Sequence, residues 1–335
     1  MAPLRCTGRV SAPAPLRSRG SGRHRPASGG HASRQARPER GSVVKGPEIS
    51  VCVPAYQAER YLAETLRSVL AQTFRNFELV VLDNASTDGT AEILRGFDDP
   101  RLRVVRNSRV LPLAENWNRA VEVSTAPLVK LLCADDVLHP RCLERQYPVL
   151  AGDPGVALVA SRRDLINEES RLISRNRGLR GLLGPHESQA VIRRIVRHGG
   201  NPIGEPAVTL FRRAQFDAVG GFDARWFFPM DLALWIRLLE HGDFHGLRES
   251  LAAFRVTRGS LSALGDESLY AEQRSLSAEI ANGVEWDVSR VDRLMGAATA
   301  PAARLRRQAL FLLARGQGRQ SDLKGLRSRR NNSSR

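Results

Sequence analysis

FELVVLDNASTDGT, residues 77–90, is the stretch that decides the fold of this chain. Its first seven residues form a short apolar run, which predicts a buried strand ending at Asp83. The polar residues that follow are typical of a turn, and Thr87 or Asp88 can cap a helix running to about Arg95. The stretch therefore encodes one strand followed directly by one helix.

The same alternation continues on both sides of this stretch. The other predicted elements, in chain order, are a strand at 49–54, a helix at 59–70, a strand at 102–105, a helix at 114–123 and a strand at 128–133. Repeated strand–helix units of this kind predict an α/β fold, a Rossmann-like nucleotide-binding sheet of parallel strands flanked by helices. Ligands of such sheets bind beyond the carboxyl ends of the strands, where the pattern puts both Asp83 and Asp135.

The second half of the chain is less regular. Residues 162–190 alternate arginine with turn formers, and we expect a surface loop with short helices there. Residues 207–211 predict a strand, and residues 228–240 predict an amphipathic helix with Asp231 in its first turn. Two further helices are expected at 265–280 and 301–315.

Composition divides the chain into four segments. We expect a disordered basic leader at 1–46, a main domain at 47–260, a helical extension at 261–316 and a basic tail at 317–335. The leader has no apolar core, so it is not a secretory signal, and its composition fits a transit peptide, a disordered leader or the product of an upstream start codon. No apolar run reaches the roughly 18 residues of a membrane span.

The formal net charge of +16 resides in the two ends of the chain. Residues 1–46 and 303–335 each carry ten Lys or Arg against a single acid, so together they contribute +18 and leave −2 for the remainder. A fold that reads nucleic acid usually carries its basic residues on its own surface, so no nucleic-acid partner is expected. The four cysteines show no CxxC spacing, which argues against a zinc or redox motif.

The strand-end carboxylates predict a metal-assisted nucleotide site. A nucleoside diphosphate-sugar is anionic, so aspartates at the ligand edge would repel it unless Mg²⁺ or Mn²⁺ intervened. Asp135, with Asp136, is suited to hold such an ion, and Asp83 to accept hydrogen bonds from a base or ribose. Asp231, near a helix start, is our candidate general base for an acceptor hydroxyl. Asn116 and Asn118, which flank Trp117 on the helix at 114–123, are further candidates for the nucleotide site, although a polar helix face fits them equally well.

Three blocks carry a family resemblance: residues 51–62 (VCVPAYQAERYL), residues 68–90 and residues 133–136 (CADD). Over about residues 48–245 the chain resembles glycosyltransferase family 2, whose members have the GT-A fold, use activated sugars and invert the anomeric centre. The resemblance implies that Pro54, Ala55 and Tyr56 form the loop over the nucleotide and that Asp83 contacts the base. It also implies that Asp135, followed by Asp136, binds the metal ion and that Asp231 is the catalytic base. Glu205 and Trp235 are acceptor-site candidates, although Trp235 fits the core equally well.

Two positions depart from the family pattern. Cys133 replaces the first aspartate of the Asp-x-Asp motif, and Met230 replaces the glutamate that usually precedes the catalytic aspartate. The metal assignment therefore depends on the later aspartates, and the assignment of the base depends on Asp231 and the helix after it.

The expected activity is transfer of a sugar from a nucleoside diphosphate-sugar to a hydroxyl of a glycan or lipid-linked acceptor, in polysaccharide, cell-wall or glycolipid assembly. We expect a cytoplasmic enzyme, with peripheral membrane contact through the basic stretch at 304–315. One rival is a nucleotidyltransferase, although no glycine-rich loop follows the first strand; the same lack disfavours a dinucleotide oxidoreductase. Another is an RNA- or membrane-binding protein on a catalytically inactive GT-A scaffold.

Overall fold

The computed structural model describes residues 46–257 and 267–305, together with residue 309. Ten strands form one mixed sheet: β1 (Ile49–Ala55), β2 (Phe77–Asp83), β3 (Leu102–Arg106), β4 (Leu128–Leu131), β5 (Val137–Leu138), β6 (Val156–Ile166), β7 (Leu172–Arg177), β8 (Gly184–His186), β9 (Thr209–Arg212) and β10 (Asp243–Arg255). The helices of the described residues include α1 (Leu62–Leu70), α2 (Thr90–Arg95), α3 (Leu113–Glu122), α4 (Cys142–Gly152), α5 (Ser188–His198), α6 (Arg213–Ala218), α7 (Met230–Leu238) and α8 (Glu267–Asn282).

The amino-terminal half is the predicted parallel sheet. β1 pairs in parallel with β2 and β4, and β2 pairs in parallel with β3. Every residue of β1 is buried, and α1 buries Leu62, Leu66 and Val69, spaced along one helical face, against the sheet. The expected α/β fold is confirmed.

The strand order β3-β2-β1-β4-β9-β6-β10-β5 contains one reversal that matters for the site. The chain proceeds from β1 outward through β2 to β3, and then returns to place β4 on the other side of β1. This reversal is a topological switch point, beyond which the carboxyl ends of β1 and β4 leave a crevice for ligands. The loop that follows β4 contains residues 133–136.

The expectation of a surface loop at 162–190 is wrong. The segment contains the end of β6, all of β7 and β8, and the start of α5. β6 lies inside the sheet, with β9 antiparallel on one side and β10 parallel on the other. Its first half is apolar and fully buried, and Arg162 and Arg163 continue the same strand toward the cleft.

The helical extension is present where the structure describes it. α8 is followed by a second helix over residues 290–305, which packs on α5: Gly296 lies against Val196, and Asp292 pairs with Arg197. No helix of the described ranges is long and apolar enough to cross a membrane. The predicted basic tail, nearly all of the predicted leader and most of the stretch 304–315 lie outside the described residues, and the four segment boundaries stay predictions.

Candidate active site

A large cleft of about 2510 Å³ opens at the carboxyl ends of the parallel strands. Its wall includes Pro54 near the end of β1, Tyr56 after that strand, Asp135 after β4, Glu205 before β9 and Asp231 at the start of α7. Residues separated by up to 177 positions in the chain thus face one space. The cleft continues between α5, α8 and the helix over residues 290–305, whose side chains line its far end.

The loop after β1 is joined to the loop after β2 by hydrogen bonds. The Gln57 side chain accepts a hydrogen bond from the Thr87 backbone N–H at 3.0 Å, and the Ala58 N–H donates to the Thr90 hydroxyl at 2.9 Å. Asp88 accepts the N–H of Glu59 at 3.0 Å, so this aspartate is a structural turn residue. These hydrogen bonds hold the backbone of Pro54 and Tyr56 at the edge of the cleft. Ala55 is fully buried and does not line the cleft.

Asp83 ends β2 as predicted, but its carboxylate is held away from the cleft. It accepts the Ser86 N–H at 2.9 Å and pairs with the guanidinium of Arg106, and it is 1% exposed. The next residue, Asn84, lines the cleft and accepts hydrogen bonds from the Leu111 N–H and the Asn107 side chain, both at 2.8 Å. Asp83 therefore shapes the loop that presents Asn84.

Asn118 does not line the cleft. Its amide donates to the Phe222 carbonyl at 2.9 Å and accepts the Phe222 N–H at 2.7 Å, which fixes the turn before α7. Asn116 and Trp117, on the same helix, line the cleft instead. Asn118 points away from the cleft because residues two apart on a helix point in different directions, and its contact with a nucleotide stays a prediction.

The loop after β4 is held from two sides. The Thr65 hydroxyl of α1 donates to the carbonyls of Ala134 at 3.0 Å and Asp136 at 2.8 Å. From β10, the fully buried Arg255 donates its Nε–H to the Asp135 carbonyl at 2.7 Å and its backbone N–H to the Asp136 carboxylate at 2.9 Å. The loop therefore presents its acidic side chains in fixed positions.

Cys133, Asp135 and Asp136 form a candidate metal centre. Each offers one ligand atom, and the three atoms lie within 4.8 Å of one another. The Asp136 Oδ2 is buried and has no hydrogen-bond partner among the described residues, which leaves a costly orphaned acceptor that a cation would satisfy. Burial raises the pKa of both carboxyls, that of Asp136 further because Asp135 lies beside it. These carboxylates fit a hard divalent cation, with the thiol as a softer third ligand.

Asp231 lines the cleft from the first turn of α7. Its Oδ2 accepts a hydrogen bond from the Asn201 side chain at 3.1 Å, and Asn201 also donates to the Gly204 carbonyl at 3.1 Å. Trp235, one turn later, is fully buried and donates its indole N–H to the same Gly204 carbonyl at 3.1 Å. Trp235 therefore supports the loop from behind and is not among the residues that line the cleft, which favours the core alternative; its role at the acceptor site stays a prediction.

Glu205 follows that loop and lines the cleft. It is paired with Arg163 of β6, with 2.6 Å between Arg163 Nε and Glu205 Oε2, so its charge is neutralised within the protein.

The Cys133 thiol lies near several acidic groups of the site. Its pKa is raised well above its usual range, first by burial and then by the negative charges of Asp136, Asp135, Asp231 and Glu205. The carboxylates from the end of β4, the start of α7 and the loop before β9 thus act on one point. Asn201, Arg163 and Arg255 also belong to this site but were not predicted; the one signal was a charged residue inside the apolar run 251–256.

The family comparison agrees with this geometry. The sequence model described as "Glycosyl transferase family 2" matches residues 50–220 of the chain. The chain belongs to glycosyl transferase family 2. The match includes both loops around β1 and β2 and the Cys133–Asp136 loop, whereas Asp231 lies beyond its carboxyl end.

Relatives by sequence include three bacterial proteins, two of which are named as glycosyltransferases. The Mycobacterium tuberculosis protein MT1568 is 31% identical over 58% of this chain and 62% of its own length. EpsE of Bacillus subtilis, named as an inferred glycosyltransferase, is 27% identical over 64% of this chain and 74% of its own. The Escherichia coli UDP-Glc:alpha-D-GlcNAc-diphosphoundecaprenol beta-1,3-glucosyltransferase WfgD is 28% identical over 36% of this chain and 48% of its own. The chain therefore spans less than two thirds of two of these three proteins.

Solved structures with the same fold are GT-A glycosyltransferases. S. aureus TarS 1-349 in complex with UDP-GlcNAc superposes with a TM-score of 0.58 at 18% identity, over 80% of this chain and 79% of that one. The Pyrobaculum calidifontis mannosyltransferase PcManGT, in complex with GDP-Man and Mn²⁺, gives a TM-score of 0.50 at 19% identity, over 82% and 87%. The family 2 domain of this chain therefore has the expected GT-A fold.

Proposed function

We propose that the chain is an inverting glycosyltransferase that moves a sugar from a nucleoside diphosphate-sugar to an acceptor hydroxyl in polysaccharide, cell-wall or glycolipid assembly. The observation that carries the proposal is that Asp135 and Asp231 line one cleft at the switch point of a family 2 domain, with Cys133 and Asp136 close to Asp135. An inactive scaffold would have no need to keep these buried charges together, since each is costly to bury.

In this proposal the donor nucleotide lies at the amino-terminal part of the cleft. Pro54, Tyr56, Asn84 and Trp117 line that part, and they offer an aromatic surface and amide groups to a base and ribose. A divalent cation, Mg²⁺ or Mn²⁺, would be held by Asp135 and Asp136 with Cys133, and when bound it neutralises the diphosphate as that group leaves. The cation bound to PcManGT is compatible with this arrangement.

Asp231 is the proposed general base. Its carboxylate takes the proton of the acceptor hydroxyl while the acceptor oxygen forms its bond to the anomeric carbon. On the opposite face the bond from that carbon to the diphosphate oxygen breaks, and the diphosphate leaves with the electron pair, which inverts the anomeric centre. Asn201 donates to Oδ2 at 3.1 Å and so fixes the orientation of the carboxylate.

A peripheral membrane contact belongs to the same proposal. The helix over residues 290–305 leaves an apolar stripe in solvent, which includes Val291, Leu294, Met295 and Leu305, all 45% exposed or more. With the basic residues nearby, such a stripe suits an anionic cytoplasmic membrane surface, where a lipid-linked acceptor would lie; WfgD is named for such an acceptor. Flotation of the full chain with anionic and neutral liposomes tests this contact, and protein that stays at the bottom with both removes it.

The activity is tested by titrating the full chain with UDP, GDP, dTDP and CDP in a calorimeter, each with and without Mn²⁺. We expect one nucleotide to bind in a Mn²⁺-dependent way, and Asp135→Asn to weaken that binding. Asp98→Asn is the matched control, because Asp98 is exposed and does not line the cleft. If a folded protein binds none of the four, the inactive-scaffold alternative replaces the proposal. A nucleotidyltransferase would instead convert a nucleoside triphosphate and release pyrophosphate.

A further inference from the structure

Four arginines lie together on the cleft wall beyond Glu205. Arg162 and Arg163 are consecutive on β6, Arg177 ends β7 and Arg180 follows it, and all four line the cleft. We call these residues the arginine cluster. Arg163 and Arg177 are direct partners in the antiparallel β6–β7 register, so two like charges stand opposite each other. Such a pair is destabilising unless something compensates it.

The protein itself compensates the cluster only in part. Glu205 pairs with Arg163, whereas Arg162, Arg177 and Arg180 have neither an ion pair nor a side-chain hydrogen bond among the described residues. The Nε of Arg162 and the Nη1 of Arg163 are buried without an acceptor in the same part of the chain. Among the described residues, the four guanidinium groups of the cluster thus have one ion-pair partner, Glu205, and two buried donors are left unsatisfied, which is unfavourable in the ligand-free protein.

The position of Arg163 is set by the backbone. Gly178 and Gly204 both have positive φ, +91° and +119°, and a Cβ at either would come within 2.5 Å and 3.0 Å of Arg163 Nη1. The two glycines therefore enclose the guanidinium, and a side chain at either position would displace it. Gly204 also accepts the hydrogen bond from Asn201, which holds Asp231. The arginine cluster is consequently attached to the loop that orients the proposed base.

We infer that the acceptor carries an anionic group, a phosphate or a carboxylate, close to the hydroxyl that is glycosylated, and that Arg162, Arg177 and Arg180 bind it. The inference rests on the proposed function, because it assigns the site beside Asp231 to the acceptor. Guanidinium groups match both anions with paired N–H donors, and Arg163 stays with Glu205 and fixes the edge of the subsite. The anion would accept a hydrogen bond from the orphaned Nε of Arg162 and relieve the Arg163–Arg177 repulsion.

The test compares anionic and neutral probes on the full chain saturated with Mn²⁺ and the nucleotide found by calorimetry. The probes are octyl glucoside, octyl glucuronide and the octyl phosphodiester of glucose, so the two anionic arms separate carboxylate from phosphate. We expect one anionic probe to bind at least roughly tenfold more tightly than the neutral one, about the effect of one charge-assisted hydrogen bond. We expect Arg177→Gln and Arg180→Gln each to remove most of that preference.

The matched control is Arg175→Gln, which removes the same charge from β7 at an exposed position that does not line the cleft. Arg180 is exposed, so its variant is expected to fold even if Arg177→Gln does not. Equal or undetectable binding of all three probes to the wild-type chain overturns the inference, as does a preference that survives both variants. A parallel loss of nucleotide affinity overturns it too, because the cluster would then bind the donor diphosphate. If no nucleotide binds at all, the proposed function has failed instead.

Discussion

Asp231 is the residue on which the proposed chemistry depends most directly. Asp231→Asn keeps the size of the side chain and its place on α7 but removes the proton acceptor. We expect the transfer rate to fall by about 10²- to 10⁴-fold, while the nucleotide dissociation constant stays within about twofold. Single-turnover transfer and calorimetry on the same preparation measure the two quantities. An equal loss of nucleotide affinity would show that Asp231 belongs to the donor site rather than to proton transfer.

Arg255 is a positioning residue for the metal loop. Its fully buried guanidinium contacts Asp135, Glu64, Asn167 and Ser170, and it lies 4.4 Å from the centre of the Tyr61 ring. Arg255→Met leaves these acceptors unsatisfied, so we expect the free energy of unfolding to fall by about 2 kcal/mol or more.

The accompanying readout is Mn²⁺ affinity at a temperature where the variant is folded. We expect it to weaken in Arg255→Met because the Asp135 backbone loses its anchor, and to recover in part in Arg255→Lys. A variant that is less stable but binds Mn²⁺ as the wild-type chain does would restrict Arg255 to a structural role.

The sequence predicts the acidic residues of the site better than their partners. Asp135 and Asp231 are predictable because a strand end and a helix start place a carboxylate locally. Asn201 and Arg163 reach the site through contacts made by distant segments, which no local pattern encodes. Asp83 shows the same limit, because its strand-end position is as predicted and yet its carboxylate is turned to Ser86 and Arg106.

At the scale of elements, prediction succeeds where a strand carries a continuous apolar run and fails where charged residues that line the cleft replace the apolar ones. The first two parallel strands are almost entirely buried and β3 carries a shorter apolar run, and the bounds of all three agree with the predicted ones within a residue. The pattern predicts a loop for the end of β6 and for β7 because arginines and turn formers replace the apolar residues of a strand from residue 162 onward. Four of the arginines in this segment, Arg162, Arg163, Arg177 and Arg180, line the cleft, so the misleading part of the pattern overlaps the inferred subsite.

The helix over residues 290–305 depends on a charged side chain for its attachment. Asp292 accepts the Ser289 N–H at 3.0 Å while its own N–H donates to the Ser289 hydroxyl at 3.2 Å, a reciprocal cap, and it pairs with Arg197 of α5. Burial acts to raise the pKa of Asp292, but hydrogen bonds from Ser289 and Arg197 outweigh it and lower that pKa. The contribution of Asp292 to stability is therefore present at neutral pH and is lost as pH falls through its folded-state pKa.

We expect Asp292→Asn to increase amide hydrogen exchange across residues 290–305 by roughly tenfold at pH 7, the effect of one lost cap. Exchange in β1 and β2 should not change. Asp287→Asn is the control, because Asp287 pairs with Arg193 of the same helix α5 but its side chain is 81% exposed. Equal effects of the two substitutions, or none from either, would contradict this account of the attachment.

At the scale of the whole molecule, the distribution of charge matters more for the cleft than the net charge does. The part of the chain between the basic ends is close to neutral, yet it gathers carboxylates at one place in the cleft and guanidinium groups at another. Overall charge therefore says little about what the cleft binds. Local charge says more: an anionic donor cannot approach Asp135 and Asp136 without a cation, so cation and nucleotide should bind together.

This coupling gives a prediction for the full chain. If Mn²⁺ tightens nucleotide binding by some factor, the nucleotide must tighten Mn²⁺ binding by the same factor, which we expect to be about 10- to 100-fold. Both titrations can be run in the calorimeter, and a nucleotide at 100 times its dissociation constant should add about 2.7 kcal/mol to the free energy of unfolding. Asp135→Asn should abolish the coupling, and Asp98→Asn should keep it. Tight nucleotide binding that is indifferent to Mn²⁺ would instead mean that protein cations neutralise the diphosphate, and the arginine cluster would be the first place to look for them.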